Sequence, residues 1–254
     1  MPSSSARVQR MASRPRDDGR AHTAPTPPHV VGLEGVCRTY PGSPPVEALK
    51  PCTLRLAPGE HLAVMGPSGS GKSTLLNLLG LLDVPNGGRY LLDGSDTSRL
   101  PERARTALRG RYIGFVFQLF HLLAYRSTVE NVELGMLYGG VPRRQRRARA
   151  VAALERVDLA HRMHALPPTL SGGERQRAAI ARAIAARPRV LLCDEPTGNL
   201  DSETSASILG LLGELHRDGL TLVVVTHDPE VAARAARLVT IRDGVVEHGP
   251  ARSG

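Results

Sequence analysis

One glycine-rich stretch limits the folds open to this chain more than any other feature. Residues 66–73 read Gly-Pro-Ser-Gly-Ser-Gly-Lys-Ser, which fits the pattern G-x-x-x-x-G-K-[ST]. The stretch follows an apolar run at residues 61–65 and precedes a leucine-rich segment, so a strand, a tight turn and a helix are predicted in that order. Glycines let backbone N–H groups surround a phosphate, and a helix N-terminus adds unpaired donors. The predicted phosphate cradle comprises Gly66, Pro67, Ser68, Gly69, Ser70, Gly71, Lys72, Ser73 and Thr74.

Two side chains of this cradle and two acidic residues farther along the chain indicate a nucleoside triphosphate bound with a metal ion. Lys72 supplies a positive charge for the β- and γ-phosphates, and the Ser73 hydroxyl is a ligand for Mg²⁺. A second apolar run, residues 190–193, ends in Asp194, which is expected beside the Mg²⁺ at the carboxyl end of its strand. Glu195 follows and is the predicted general base for an attacking water. The combination of cradle and carboxylates favours hydrolysis over binding alone.

Apolar runs alternate with helical segments from residue 30 onward, which predicts an α/β fold. The runs at residues 61–65, 190–193 and 220–226 are almost entirely apolar, as is typical of strands covered by helices on both faces, so a mainly parallel central sheet is expected. Residues 120–187 are predicted to be a helical insert on this α/β core. The other predicted strands are 30–33, 89–92, 113–117 and 238–241, and the predicted helices are 72–82, 129–137, 143–157, 174–186 and 203–217.

Charge and composition bear on partners and location. The formal net charge of +9 is typical of nucleic-acid binding, but only two of the 33 basic residues are lysines, a bias typical of GC-rich coding, so no nucleic-acid partner is expected. The longest apolar stretch between charges, residues 73–82, is about half as long as a membrane helix, and no secretory signal opens the chain, so a cytoplasmic location is expected.

Residues 1–29, rich in proline and serine, are predicted to be a disordered tail. The arginines at 143–149 are interpreted as a solvated helix face, with contact to anionic lipid as the alternative.

Residues 170–177, Leu-Ser-Gly-Gly-Glu-Arg-Gln-Arg, are similar to the signature sequence of ATP-binding-cassette (ABC) transporter ATPases. The resemblance covers residues 30–249, with the motifs in the order that the family shows. It implies hydrolysis of ATP to ADP and phosphate, with ATP and Mg²⁺ as cofactors. It also implies a P-loop NTPase core at 30–118 and 188–249, with a mainly parallel central sheet and an N-terminal antiparallel β portion, a helical subdomain at about 119–187 and a tail at 250–254.

The same resemblance implies roles for residues that composition and spacing do not assign. Tyr40 matches the aromatic residue that stacks on adenine, and Gln118 matches the glutamine that contacts Mg²⁺ and the attacking water. His227 matches the histidine that contacts the γ-phosphate, and Asp201 belongs to the loop that crosses between two subunits. A homodimer of cassettes is therefore expected on ATP binding, in which each site is completed by the partner's signature residues Ser171, Gly172, Gly173 and Glu174. Many relatives carry glutamine where Glu174 stands, and its carboxylate is expected to point away from the phosphate.

Residues 194–201, 120–123 and 128–132 resemble the branch of the family that drives macrolide export, lipoprotein release and cell division. This implies a membrane permease as partner and a peripheral position on the cytoplasmic face of the membrane. Three alternatives stay open: a cell-division ATPase that regulates a membrane partner without transport, an importer ATPase, and a nucleic-acid-associated cassette ATPase. The last is disfavoured because the segment between Gln118 and Ser171 is too short for a long coiled coil or a zinc module.

Overall fold

A computed structural model describes residues 29–249, which fold into two β-sheets and seven α-helices within that range. The predicted tail at 250–254 lies outside the described residues, as does the tail at 1–29 apart from its last residue. The strands are β1 (Val31–Tyr40), β2 (Val46–Leu56), β3 (His61–Met65), β4 (Gly87–Leu92), β5 (Ser95–Asp96), β6 (Ile113–Phe117), β7 (Val190–Asp194), β8 (Thr221–Val225), β9 (Arg237–Arg242) and β10 (Val245–His248). The helices are α1 (Lys72–Leu79), α2 (Glu102–Tyr112), α3 (Thr128–Leu134), α4 (Arg143–Arg156), α5 (Gly172–Ile184), α6 (Ser202–Arg217) and α7 (Pro229–Ala233).

The strand order confirms the predicted fold class. The larger sheet runs β10-β9-β3-β8-β7-β6, and every neighbouring pair in it is parallel except β10 with β9. The smaller sheet runs β2-β1-β4-β5 and is antiparallel throughout. Strands β3 and β8 are adjacent but far apart in sequence, and such crossovers place ligand sites at the carboxyl ends of the strands.

Apolar side chains explain why the large sheet forms where it does. Strands β7 and β8 bury almost every residue because helices cover both faces of the sheet. On one face, α1 packs its leucines together with the small sheet, and on the other face α5 and α6 pack with the helices of residues 128–156. Each buried leucine or valine contributes about 1.5–3 kcal/mol relative to an exposed one, so these two clusters hold the strand ends in a fixed register.

Several boundaries differ from the sequence predictions, each for a local reason. Strands β2, β5 and β10 and helices α2 and α7 were not predicted. Helix α2 buries none of its residues, so it carries no apolar stripe that would indicate a helix. Helix α1 ends at Leu79, earlier than the predicted residue 82, because Gly80 caps it and Leu81 has a left-handed φ of 55°. Helix α5 begins at Gly172 rather than near residue 174, since the side chain of Ser171 caps it.

Candidate functional site

The predicted cradle forms a tight loop between β3 and α1. Gly69 and Gly71 have φ angles of 76° and 109°, which L-residues with side chains rarely adopt. A Cβ on Gly71 would lie 2.3 Å from the carbonyl oxygen of Ala48, so only glycine lets the loop pass this close to β2. The Lys72 ammonium donates to the carbonyl oxygens of Gly66 and Pro67, at 2.8 and 2.7 Å. The lysine charge is therefore held at the loop, where a phosphate would bind.

The cradle also has polar groups and space that fit a phosphate. The Ser70 hydroxyl is buried and has no hydrogen-bond partner among the described residues. A cleft of about 420 Å³ lies beside the loop, lined on one side by Gly69, Gly71, Lys72, Ser73 and Thr74 and on the other by residues of β2 and the β9–β10 turn. The helix N-terminus at Lys72 adds backbone donors and a positive dipole end. These groups are the donors that a triphosphate requires.

Strand register brings the remaining predicted residues to the same edge. Asp194 ends β7 and lies opposite Phe117 of β6, the residue before Gln118. Asp194 also lies opposite Val225 of β8, two residues before His227. Because β3 is paired with β8, the cradle leaves the sheet at this edge too. Three parallel pairings therefore gather side chains as far apart in the sequence as Lys72 and His227.

The carboxylate of Asp194 lies where a cation would be favourable. Burial raises the pKa of Asp194, and the neighbouring charge of Glu195 raises it further, while Lys72 lowers it. An ionised carboxylate that is partly buried is stabilised by a bound cation. The oxygens of Ser73, Asp194 and Gln118 are the hard ligands that Mg²⁺ prefers, so the donor set fits that ion.

Glu195 is tied directly to His227. Its Oε1 lies 2.7 Å from the Nδ1 of His227 and accepts from the backbone N–H of the same residue at 2.9 Å. Its Oε2 accepts from the Thr226 hydroxyl at 3.1 Å, and its own backbone has a left-handed φ of 44°. The hydrogen bond to Glu195 raises the pKa of His227, and the negative charge of that carboxylate raises it further. With Nδ1 facing Glu195, the Nε2 of the mainly exposed ring is left to contact an anion.

Gln118 is joined to the loop that precedes α6. Its Nε2 donates to the Asn199 side chain at 3.2 Å, and Asn199 donates back to the Gln118 carbonyl oxygen at 3.0 Å. Asp201 is the N-cap of α6: its carboxylate accepts from the backbone N–H and the hydroxyl of Thr204 at 2.9 and 2.7 Å. These bonds to Thr204 lower the pKa of Asp201.

The signature residues form a second helix N-terminus. Ser171 caps α5 by accepting from the Glu174 backbone N–H at 3.1 Å, and the Glu174 carboxylate accepts from the Ser171 N–H at 2.7 Å. The Glu174 carboxylate also lies 3.1 Å from the Arg162 guanidinium. The hydrogen bond from the Ser171 backbone lowers the pKa of Glu174. Glu174 thus folds back on its own helix cap. Gly172 and Gly173 lie against Leu200 and Thr204, so this helix start is packed onto the Asp201 loop.

Tyr40 lies at the end of β1 and does not line the cleft beside the cradle. Its hydroxyl donates to Asp83 at 2.7 Å, and the Arg38 guanidinium lies 4.6 Å from the centre of its ring. Arg38 and Asp83 form an ion pair at 2.9 Å, so the ring is clamped by both. Sequence reasoning missed Arg38, Asp83 and Asn199. Of these three residues, only Arg38 could have been inferred from the sequence. It stands two residues before Tyr40, so both side chains lie on the same face of the strand.

This constellation defines a class of protein: a P-loop ATPase built as a cassette, with one phosphate cradle and a second, separate helix start at residues 171–174. Residues 49–198 match the family model described as ABC transporter. The ATP-binding protein YvrO of Bacillus subtilis, described as an uncharacterised ABC transporter protein, is 50% identical over 213 residues, which are 84% of this chain and 93% of YvrO. The chain belongs to the ABC transporter family and is an ATP-binding ATPase of that family.

Two further comparisons place the chain within the family. The macrolide export ATP-binding/permease protein MacB of Chlorobium luteolum is 50% identical over 224 residues, which are 88% of this chain but 33% of MacB, so the chain spans about a third of that relative. A dimeric post-hydrolysis state of the ATP-binding cassette MJ0796 bound to ADP and Pi superposes with a TM-score of 0.80 at 42% identity, covering 88% of this chain and 99% of that one. Among residues 29–249, no helix has the length and apolar character needed to cross a membrane.

Proposed function

We propose that this chain is the motor of an export-type transporter, in which two copies enclose ATP and Mg²⁺ and drive a permease carried on a separate polypeptide. The observation that carries the proposal is the pair of separate anion-binding edges. Lys72 and the cradle occupy the carboxyl edge of the large sheet, while Gly172 and Gly173 open α5 with backbone N–H groups that have no acceptor among the described residues. One chain needs a single cradle for one ATP, so the second edge serves a partner copy.

The chemistry proposed for the site uses the contacts already described. Lys72 and the loop amides bind the β- and γ-phosphates, and Ser73, Asp194 and Gln118 would hold Mg²⁺, which neutralises phosphate charge when bound. Glu195 accepts the proton of the attacking water, and His227 orients Glu195 through Nδ1 while its Nε2 contacts the γ-phosphate. The chain after Gln118 leads directly into the helices of residues 119–187, which we assign as the helical subdomain, while the bonds to Asn199 hold Gln118 at the loop before α6.

Support for dimerisation and for a separate permease comes from the relatives. The MJ0796 cassette is dimeric with ADP and Pi bound, and this chain covers 99% of it. YvrO is an ATP-binding protein that the chain covers to 93%, whereas MacB joins ATP-binding and permease parts in one chain that it covers to 33%. A permease partner would place the ATPase at the cytoplasmic face of the membrane.

A groove on the surface offers a place for that permease. It has a volume of about 650 Å³ and runs between β6 and helices α2, α3 and α5. Its rim carries two large apolar side chains that are exposed, Leu82 at 47% and Tyr138 at 69%. Gln118, a proposed ligand of Mg²⁺, directly follows the β6 residues that line this groove. A permease segment bound in the groove would therefore contact the strand that leads to the metal site.

The permease proposal is tested by placing a positively charged side chain at the apolar rim of this groove. Tyr138→Arg is expected to remove the chain from washed cell membranes while the purified variant keeps its ATPase rate, because Tyr138 makes no contact with the cradle. Tyr125→Arg is the matched control, since Tyr125 is 74% exposed and lies outside the groove lining. Equal membrane recovery of the wild type and Tyr138→Arg would contradict a permease docked in this groove.

A further inference from the structure

A cavity of about 400 Å³ lies away from the ATP site, between helix α6, helix α7 and the face of β3 and β8. Leu209, Leu212, Leu222 and Val224 form apolar walls, and two imidazoles, His61 and His216, complete the lining. A volume of this size is within the range of small-molecule sites, which are mostly apolar with a few polar groups. None of the residues assigned to ATP hydrolysis lines it.

His61 is the most unusual member of this lining. It is 7% exposed, and its buried Nε2 has no hydrogen-bond partner among the described residues. Burial and, to a lesser extent, the nearby His216 together lower the pKa of His61 to about 4, so the ring is neutral at pH 7. The two rings lie 5.2 Å apart, and the Nδ1 of His216 lies 3.4 Å from the Leu220 carbonyl oxygen. A buried imidazole nitrogen without a partner costs free energy, which a ligand with a hydrogen-bonding group would recover.

The helix that borders the cavity also carries an unfavourable pair of residues. Gly210 and Gly213 both lie inside α6 and line the cavity. Glycine inside a helix is about 1 kcal/mol less favourable than alanine, so the pair weakens α6. A Cβ on Gly210 would meet no atom within 4 Å, and one on Gly213 would meet only the flexible end of Arg217, at 3.7 Å. Glycine at positions 210 and 213 is therefore not required to avoid a steric clash. Its effect is that no side chain from these two positions fills the cavity.

The charges at the cavity decide the class of ligand. Arg217 and Arg234 line the cavity and are exposed, and their guanidinium groups have no ion-pair or hydrogen-bond partner within the described range. Glu214 is the acidic residue of the lining; it lies 3.2 Å from Arg156, which also pairs with Asp218 at 2.6 Å, so the lining itself carries two arginines against one carboxylate. The lining is thus apolar with an excess of positive charge. This combination matches a ligand with an apolar body and one negative group.

We propose that this cavity binds a small carboxylic acid with an aliphatic body, such as a medium-chain fatty acid. The aliphatic body packs against the leucines of α6 and β8, and the carboxylate accepts from Arg217, Arg234 and the Nε2 of His61. Binding here goes beyond the proposed transport function and needs no nucleotide, so failure of this site would leave that function untouched.

The test is calorimetric titration of the full chain, without nucleotide, with octanoate, 1-octanol and octylamine. We expect saturable one-to-one binding of octanoate, with the alcohol and the amine weaker by about tenfold or more, because they lack the negative charge. Absence of saturable octanoate binding would overturn the proposal. Equal binding of all three probes would overturn the assignment of a carboxylate.

Three variants locate the site. Gly213→Leu fills the cavity and is expected to weaken octanoate binding about tenfold or more, with a Tm no lower than that of the wild type because leucine favours the helix. Arg217→Gln is expected to weaken octanoate and leave 1-octanol unchanged, while Arg187→Ala, a surface arginine outside the lining, leaves both unchanged. Wild-type octanoate affinity in a folded Gly213→Leu variant would place the ligand elsewhere and overturn the proposal.

Discussion

Among single residues, Glu195 and His227 make the contact with the largest consequence for chemistry. The carboxylate receives three hydrogen bonds, two from His227 and one from Thr226, and none of them uses the cradle. If Glu195 is the general base that we propose, these bonds fix it in position before water arrives, which is how a protein reduces the entropic cost of the reaction. Glu195 also has a left-handed φ of 44°, a conformation that costs free energy in a residue with a side chain.

This contact predicts a measurable coupling between two titrations. The pKa of His227 is raised above its ordinary value of 6.5 because the Glu195 carboxylate accepts a hydrogen bond from the ring and attracts the protonated form. In Glu195→Gln the negative charge is lost, so the pKa of His227 is expected to fall. Histidine NMR of both proteins measures it, with His227→Ala to assign the signal. An unchanged pKa in Glu195→Gln would mean that the two side chains are not paired in solution.

The members of the site could be predicted from the sequence where they form one local motif. Contacts between residues that are distant in the sequence could not be predicted. The cradle could be derived from its spacing because its members are adjacent in the chain. The clamp on Tyr40 could not, since Asp83 lies 43 residues away and no pattern at Asp83 indicates a partner. The same holds for Asn199, which meets Gln118 across 81 residues of sequence.

Two helices of this protein begin with the same capping box, and they allow its structural and functional parts to be separated. Ser127 and Glu130 cap α3, and Ser171 and Glu174 cap α5. Ser127→Ala and Ser171→Ala should each lower the free energy of unfolding by about 1 kcal/mol, as loss of an N-cap does. Only Ser171→Ala should also lower the ATPase rate, because α5 carries the second anion-binding edge in the proposed dimer.

Chemical denaturation and phosphate release measure both quantities on the same two proteins. Ser127→Ala shows how much the ATPase rate falls from the loss of stability alone. Any further fall in the ATPase rate of Ser171→Ala is then due to the loss of Ser171 from the ATP site of the proposed dimer. Equal ATPase rates in the two variants would contradict a catalytic contribution from the start of α5.

At the level of strands and helices, buried elements were easier to predict than half-exposed ones. Strands β3, β7 and β8 were found because they are continuous apolar runs buried between helices. Strand β2 buries Cys52, Leu54 and Leu56 in alternation, but Pro51 and charged neighbours conceal that period. The parallel pairing of β6 with β7 depends on contacts across more than 70 residues, which no local pattern specifies.

The molecule as a whole combines two cores on the two faces of one sheet, and this arrangement is compatible with the proposed dimer. The cradle follows β3 and α1 packs into one core, while α5, which carries the signature residues, packs into the other on the opposite face of the sheet. Packing therefore fixes the cradle and the start of α5 independently of each other. In the proposed dimer, a second copy would supply the start of its α5 without rearrangement of either core.

In the proposed mechanism ATP joins two copies, and Glu195 ends this state by promoting hydrolysis. Light scattering on Glu195→Gln with ATP and Mg²⁺ tests both steps. We expect a stable species of twice the mass of one chain, with ATP retained and hydrolysis almost abolished, whereas Lys72→Ala, which weakens the cradle, stays monomeric. A Glu195→Gln protein that remains monomeric with ATP bound, or that hydrolyses ATP at the wild-type rate, would contradict this mechanism.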